Sequence, residues 1–274
     1  DVPRRVEPDA HDRVVLAAAA QQRAEDQPRP HHPAHVGEPV QHFVVVQIEA
    51  GPIGPIFDGL LEALNPLLGK PRRKQGPGVV TLTYRMESEI PPITPLKLKV
   101  EINTREHTNL LGISPYPFVV ENDWYHGRAE IASFEPEELF GTKLRALLQR
   151  RKNRDLFDLH QGLEQLALDA DELIACFGHY LALEGNSITR AGAEQRMLEK
   201  RSRSLTEDIA PLLPPGVRFN DEDALAAFAR VWGELIGRIP GEPWKLTDSV
   251  LEQLRQERFP GLLRGEDQGK SEPT

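Results

Sequence analysis

Cysteine is almost absent from this sequence: Cys176 is the single one in 274 residues. A lone thiol excludes an intramolecular disulfide and a cysteine-based zinc cluster, and it suits a reducing cytoplasm. Long apolar runs are missing too. No stretch approaches the roughly 18 apolar residues a membrane span requires, and the N-terminus lacks the charged-then-apolar pattern of a signal peptide. The expected location is therefore cytoplasmic, with no membrane partner. Positive charge is the scarcer sign, with 33 Lys and Arg against 42 Asp and Glu and a net charge of −9. That balance argues against wholesale non-specific binding of nucleic acid, which needs a cationic surface. A local basic groove stays open, and residues 143–154 are the candidate.

What is present falls into four stretches. Residues 1–42 are dominated by Arg, His, Pro, Asp and Gln, broken only by Val14 to Ala20, and include the cluster His31-His32-Pro33-Ala34-His35. Such a run buries little apolar area, so an irregular arm is expected. The histidines could ligate a metal, but no Cys or acidic partner stands at a fixed spacing. Residues 43–134 read as a small α+β core. Phe43 to Ile48 is a short buried strand, Ile53 to Leu68 carries leucines at helical spacing, and 79–86 and 96–103 alternate with period two. In the last of these Leu96, Leu98, Val100 and Ile102 oppose Lys97, Lys99, Glu101 and Asn103. The short link Pro91 to Pro95 makes the two alternating strands antiparallel neighbours. Ala129 to Phe134 is a last short strand. Residues 135–260 read as helices at 135–151, 155–167, 171–184, 191–200, 222–237 and 246–257, and 261–274 as a polar tail.

The stretch Glu137 to Leu159 is the most informative. On a helix Lys143, Ala146 and Arg150 share one face, beside an apolar stripe of Phe140, Leu144, Leu147 and Leu148. Asn153 can close that helix in the left-handed conformation and Asp155 can cap the next. The corner would gather Lys143, Arg150, Arg154, Asp155 and Asp158. Cations at that density can hold a triphosphate and neutralise charge during phosphoryl or nucleotidyl transfer. The same residues serve equally as basic complements to a helix C-terminus and an acidic start to the next helix. Spacing alone names no substrate.

Gly141-Thr142-Lys143-Leu144-Arg145-Ala146-Leu147 through Arg150, followed by Arg154-Asp155-Leu156-Phe157-Asp158-Leu159, resembles the K-x-x-A-x-x-x-R … R-D-x-x-D signature of the AbiEii/AbiGii-type nucleotidyltransferase toxins. Leu98 to Glu106 resembles the strand that supplies an acidic residue in those proteins, and Phe118 to Tyr125 their connecting segment. The likeness runs from about Val45 to Leu168. It implies a polymerase-β-like nucleotidyltransferase mixed sheet followed by a helical C-terminal domain. It further implies transfer of a nucleotide from an NTP, with Mg2+, by the toxin half of a toxin–antitoxin pair; a cognate antitoxin or an RNA acceptor would be the partner. Carried over, Lys143 would contact the nucleotide's phosphates, Asp155 or Asp158 would be the acidic partner, and Glu101 would be the third carboxylate of the metal site. Arg150 and Arg154 would be further phosphate contacts. Without the resemblance, Glu101 is equally a strand carboxylate paired with Lys97 and Lys99.

These families begin with a Gly-Gly-(Ser/Thr) turn and a Ser-x-Asp-Ile-Asp strand, whose aspartates hold magnesium. Here the corresponding stretch is Gly37-Glu38-Pro39-Val40-Gln41-His42-Phe43-Val44, and no aspartate occurs between Asp26 and Asp58. Asp58, inside the expected helix, is a poor substitute. Two explanations compete: a protein that keeps the fold without the catalysis, or a change of reading frame near residue 44. A non-catalytic module that uses the basic corner to bind RNA or protein is the functional alternative. The abrupt compositional shift favours the frame change, which predicts that another frame of the coding DNA upstream of Val45 encodes Gly-Gly-(Ser/Thr) and Asp-x-Asp. Retranslation decides it, and their absence from both other frames rejects the idea.

Overall fold

The computed structural model describes residues 14–17, 40–47, 50–89, 92–121, 126–202, 205, 206, 209, 213 and 218–256. Most of the arm at 1–42, with its histidine cluster, and the tail at 261–274 lie outside the described residues. The chain divides into two units, Asp1–Glu135 and Pro136–Thr274. Together they give an α+β protein with a mixed sheet and a helical C-terminal half.

The first unit is built on a five-stranded sheet in the order β1-β2-β5-β4-β3. Its strands are β1 (Val14–Ala17), β2 (Val40–Gln47), β3 (Arg72–Gly76), β4 (Val79–Glu87) and β5 (Pro95–Asn103). β2 runs parallel to β5, and the other neighbours are antiparallel. Period-two alternation places Val80, Leu82, Tyr84, Val100 and Ile102 on one buried face, and helix α1 (Gly54–Leu68) covers it. Its Ile53, Ile56, Phe57, Leu60, Leu61 and Leu64 recur at helical spacing and pack there. Pro55 enters the first turn of α1, where its missing N–H is no loss. Pro66 lies inside the helix, which runs on to Leu68, where Gly69 at φ 73° ends it. A two-stranded ribbon, β6 (Ile113–Glu121) and β7 (His126–Phe134), completes the unit.

Strands β1, β3 and β6 go beyond the sequence reading. β3 is Arg-Arg-Lys-Gln-Gly, an edge strand paired on one side only, so it keeps no apolar alternation. β6 contains Pro115 and Pro117, which a two-stranded ribbon tolerates and a central strand does not.

The second unit contains α2 (Pro136–Gln149), α3 (Arg154–Gln165), α4 (Ala170–Leu183), α5 (Arg190–Arg201), α6 (Asp221–Glu234) and α7 (Thr247–Arg255). Their shared core includes Leu144, Leu147, Leu156, Leu159, Leu173, Phe177, Met197, Phe228 and Leu235. Phe228, Leu235 and Ile236 are buried as their spacing suggests, whereas Leu225 is 43% exposed. The acidic start Asp221-Glu222-Asp223 opens α6 behind an Asn220/Asp223 capping box. No helix among the described residues is long and apolar enough to cross a membrane.

Close approach of helices sets the geometry of this unit. A Cβ at Gly141 would lie 2.8 Å from Cys176 Cβ, 3.0 Å from Leu173 O and 3.1 Å from Phe177 N, so α2 meets α4 backbone there. Gly162 of α3 lies as tightly against the Phe140 ring, where a Cβ would come within 2.2 Å. Alanine normally favours a helix over glycine by about 1 kcal/mol. At Gly141 overpacking outweighs that gain, and Gly141→Ala is expected to lower unfolding free energy by about 1–3 kcal/mol in urea melts. An unchanged or raised midpoint would show that α2 and α4 have room to separate.

Candidate functional site: a charged corner between two helices

The corner is made by the end of α2 and the start of α3. Lys143 reaches across from α2 and donates to Asp158 Oδ2 at 2.6 Å, with Asp155 Oδ1 at 3.9 Å. Arg150, one helical face with Lys143, brings Nη1 to 3.9 Å from Asp155 Oδ2. Lys143, Asp155, Asp158 and Arg150 are thus gathered by the structure, and Arg154 opens α3 beside them.

Burial differs sharply across the group. The Asp155 side chain is 2% exposed, Asp158 33% and Arg150 54%. Asp155 Oδ2 and Arg154 Nε are buried without a hydrogen-bond partner among the described residues. Burial pushes the Asp155 carboxyl above its ordinary value; Lys143, Arg150 and Arg154 pull it back down, and Asp158 adds to the rise. Asp158, half-buried and bonded to Lys143, neutralises the ammonium in this state.

The turn itself departs from expectation. Asn153 has φ −106°, not the left-handed conformation, and it rather than Asp155 stands at the N-cap of α3. The cause is Lys200 of α5, whose ammonium donates to Arg150 O at 2.7 Å, Lys152 O at 2.9 Å and Asn153 Oδ1 at 3.4 Å. Arg196, one turn earlier on α5, donates to Leu148 O at 3.0 Å. Carbonyls left over at the end of α2 are therefore satisfied by cations from a distant helix, and no glycine-like turn is needed. Sequence reasoning missed Lys200 and Arg196; their i, i+4 spacing on one helix was the only available signal.

Glu101 stands on β5 in the first unit and pairs with Lys99 on the same face. The register places Val44 of β2 and Thr81 of β4 beside it, then Ala17 beyond Val44 and Lys74 beyond Thr81. Glu101 is the sole carboxylate in that row of five. No group of three His, Cys, Asp or Glu suited to a metal occurs among the described residues. The donor set does not fit a divalent cation, which needs several carboxylate or carbonyl oxygens and no ammonium in contact. Cys176 is buried, and burial with the nearby Glu138 carboxylate pushes its thiol up to about 12, so it is no nucleophile.

The mixed sheet followed by helices matches a solved nucleotidyltransferase toxin. MenT4 from Mycobacterium tuberculosis H37Rv superposes with a TM-score of 0.51 at 14% identity, over 90% of this chain and 86% of that one. At that identity the likeness establishes the fold. The family model for the nucleotidyl transferase AbiEii toxin of type IV toxin–antitoxin systems matches residues 43–240, and the chain belongs to that family. No curated protein matches the sequence.

The raised Asp155 carboxyl has a consequence for stability. Its contribution is complete below the unfolded pKa and is lost as pH rises through the higher folded value. Asp155→Asn removes that dependence. The Tm of the variant relative to the parent should therefore climb as pH rises from about 4, measured by calorimetry. A difference that stays flat or falls would show that Asp155 ionises as freely in the folded chain as in the unfolded one.

Proposed function

We propose that this toxin-family chain binds the phosphates of an NTP at the α2–α3 corner. Lys143 holds them, and Arg150 and Arg154 contribute from the turn. The observation that carries the reading is the unsatisfied state of Asp155: a buried carboxylate oxygen and the buried Arg154 Nε–H both lack a hydrogen-bond partner among the described residues, at the point where three cations converge. A purely structural ion pair would be closed, because unpaired buried polar atoms are costly. An incoming phosphate would take Lys143 from Asp158, leaving one carboxylate free to accept a hydrogen bond or proton. Asp155, already raised by burial, suits proton acceptance from an acceptor hydroxyl as a nucleotide is transferred.

Magnesium is the cofactor the family resemblance implies, and Glu101 alone does not hold it. The row Ala17, Val44, Glu101, Thr81, Lys74 instead favours a second reading, in which the chain binds nucleotide or RNA, or a cognate antitoxin, with little transfer.

Calorimetric titration with each NTP, with and without magnesium, tests the site. Lys143→Met should weaken binding about tenfold or more, the loss of one charge-assisted contact, and magnesium should add little in the parent. Equal affinity in Lys143→Met and parent would remove the corner from the function. Label transfer from a radioactive NTP at a rate typical of a metal-assisted enzyme would reject the second reading.

A further inference from the structure

Several cations of the helical unit pair with carboxylates. Arg145 bonds Glu184, Arg190 bonds Glu194, Arg230 bonds Glu234 and Arg238 bonds Asp171. Beside the α2–α3 turn such pairing is sparse. Arg151 is exposed and has no hydrogen bond or ion pair among the described residues. Arg150 comes no closer than 3.9 Å to a carboxylate oxygen, and Arg196 is bonded to a backbone carbonyl. With Lys200, Ser187 and Glu199 these residues line a cavity of about 380 Å³. Four cations against one carboxylate border it, in a chain whose net charge is −9.

A helix C-terminus ordinarily repels anions, because its last carbonyls carry partial negative charge. Here Leu148 O, Arg150 O and Lys152 O are covered by Arg196 and Lys200. The covering reverses the local sign, and the other guanidinium donors of Arg196, with those of Arg150 and Arg151, remain for a ligand. A singly charged carboxylate would leave most of this charge uncompensated, whereas a phosphate is multivalent and matches the guanidinium fork. The Ser187 hydroxyl adds a neutral donor to the lining.

We propose that this cavity is a second anion site, taking a phosphate group through Arg150, Arg151, Arg196 and Ser187 without requiring Lys143. The phosphate comes either from a free oligophosphate or from the backbone of an oligonucleotide. Arg150 borders both sites, so Arg151 and Ser187 are the residues that isolate this one.

The test is titration of the full chain with inorganic pyrophosphate at low salt, in the parent and in a Lys143→Met background. A binding event should persist in Lys143→Met, and adding Arg151→Gln or Ser187→Asp should weaken it about tenfold or more. Arg151 has no partner among the described residues, so its substitution leaves the fold intact. A short single-stranded oligonucleotide without a terminal phosphate identifies the source: weakening by the same variants assigns the backbone, and no binding assigns free oligophosphate. Loss of all pyrophosphate binding in Lys143→Met, or indifference to both added substitutions, overturns the proposal. Displacement of pyrophosphate by a poly-glutamate peptide at equal charge concentration overturns the assignment to phosphate.

Discussion

One buried ammonium, that of Lys200, holds the turn on which the helical unit's chemistry depends. It donates to two carbonyls at the end of α2 and to the side chain that opens α3. Without a cation there, the buried Asn153 side chain and two partly buried carbonyls would lose their partner, and an acceptor left buried and unpaired costs about 1–3 kcal/mol. Because the turn is held from α5, Arg150 and Asp155 keep fixed positions although Arg150 is mostly exposed. Gly141 and Gly162 act with it by letting α4 and α3 approach α2 closely. The corner is thus held on its structural side and incomplete on its chemical side, where Asp155 Oδ2 and Arg154 Nε lack a hydrogen-bond partner among the described residues.

The sheet of the first unit carries the opposite logic. Its inner face is closed by α1 and by the Tyr84 hydroxyl, which donates to Asn65 Oδ1 at 3.3 Å. Its outer face has the polar residues, and strand register decides what they can do. Register partners in neighbouring strands share a face at about 5 Å spacing. Glu101 is therefore in register with Val44 and Thr81. A metal site on this face would need carboxylates from β2, and Val40–Gln47 contains neither Asp nor Glu. The nearest charge to Glu101 is Lys99. The family resemblance holds for topology, while the charge on this face is that of an ion-paired surface.

Legibility in the sequence followed the physical signal each element carries. α1, β4 and β5 have one buried side, so their periodicity was visible and their spans agree closely with expectation. β3 is an exposed edge made of Arg, Lys and Gln, and nothing in its composition separates it from a loop. β6 is interrupted by prolines that normally argue against a strand. At the corner, Lys143, Asp155 and Asp158 were legible because they lie within sixteen positions of one another on two consecutive helices. Lys200 and Arg196 were not, since the contact joins helices some fifty positions apart and no local pattern encodes it. Glu101 remained ambiguous for a related reason: its partner on β2 is fixed by a parallel pairing across α1, β3 and β4, which sequence spacing cannot supply.

Net charge misleads when read as a single number. This chain is acidic overall, yet Arg150, Arg151, Lys152 and Arg154 crowd one turn with only two corner carboxylates beside them. Close like charges are unfavourable at a helix end unless the dipole or a ligand compensates. The dipole contribution is already used, because Lys200 and Arg196 occupy the terminal carbonyls. Asp155 supplies a further part, although its burial raises the carboxyl above its ordinary value. What remains least compensated lies at Arg150, whose nearest described carboxylate oxygen is 3.9 Å away, and at the exposed Arg151. A multivalent anion would relieve this repulsion and engage the remaining guanidinium donors together.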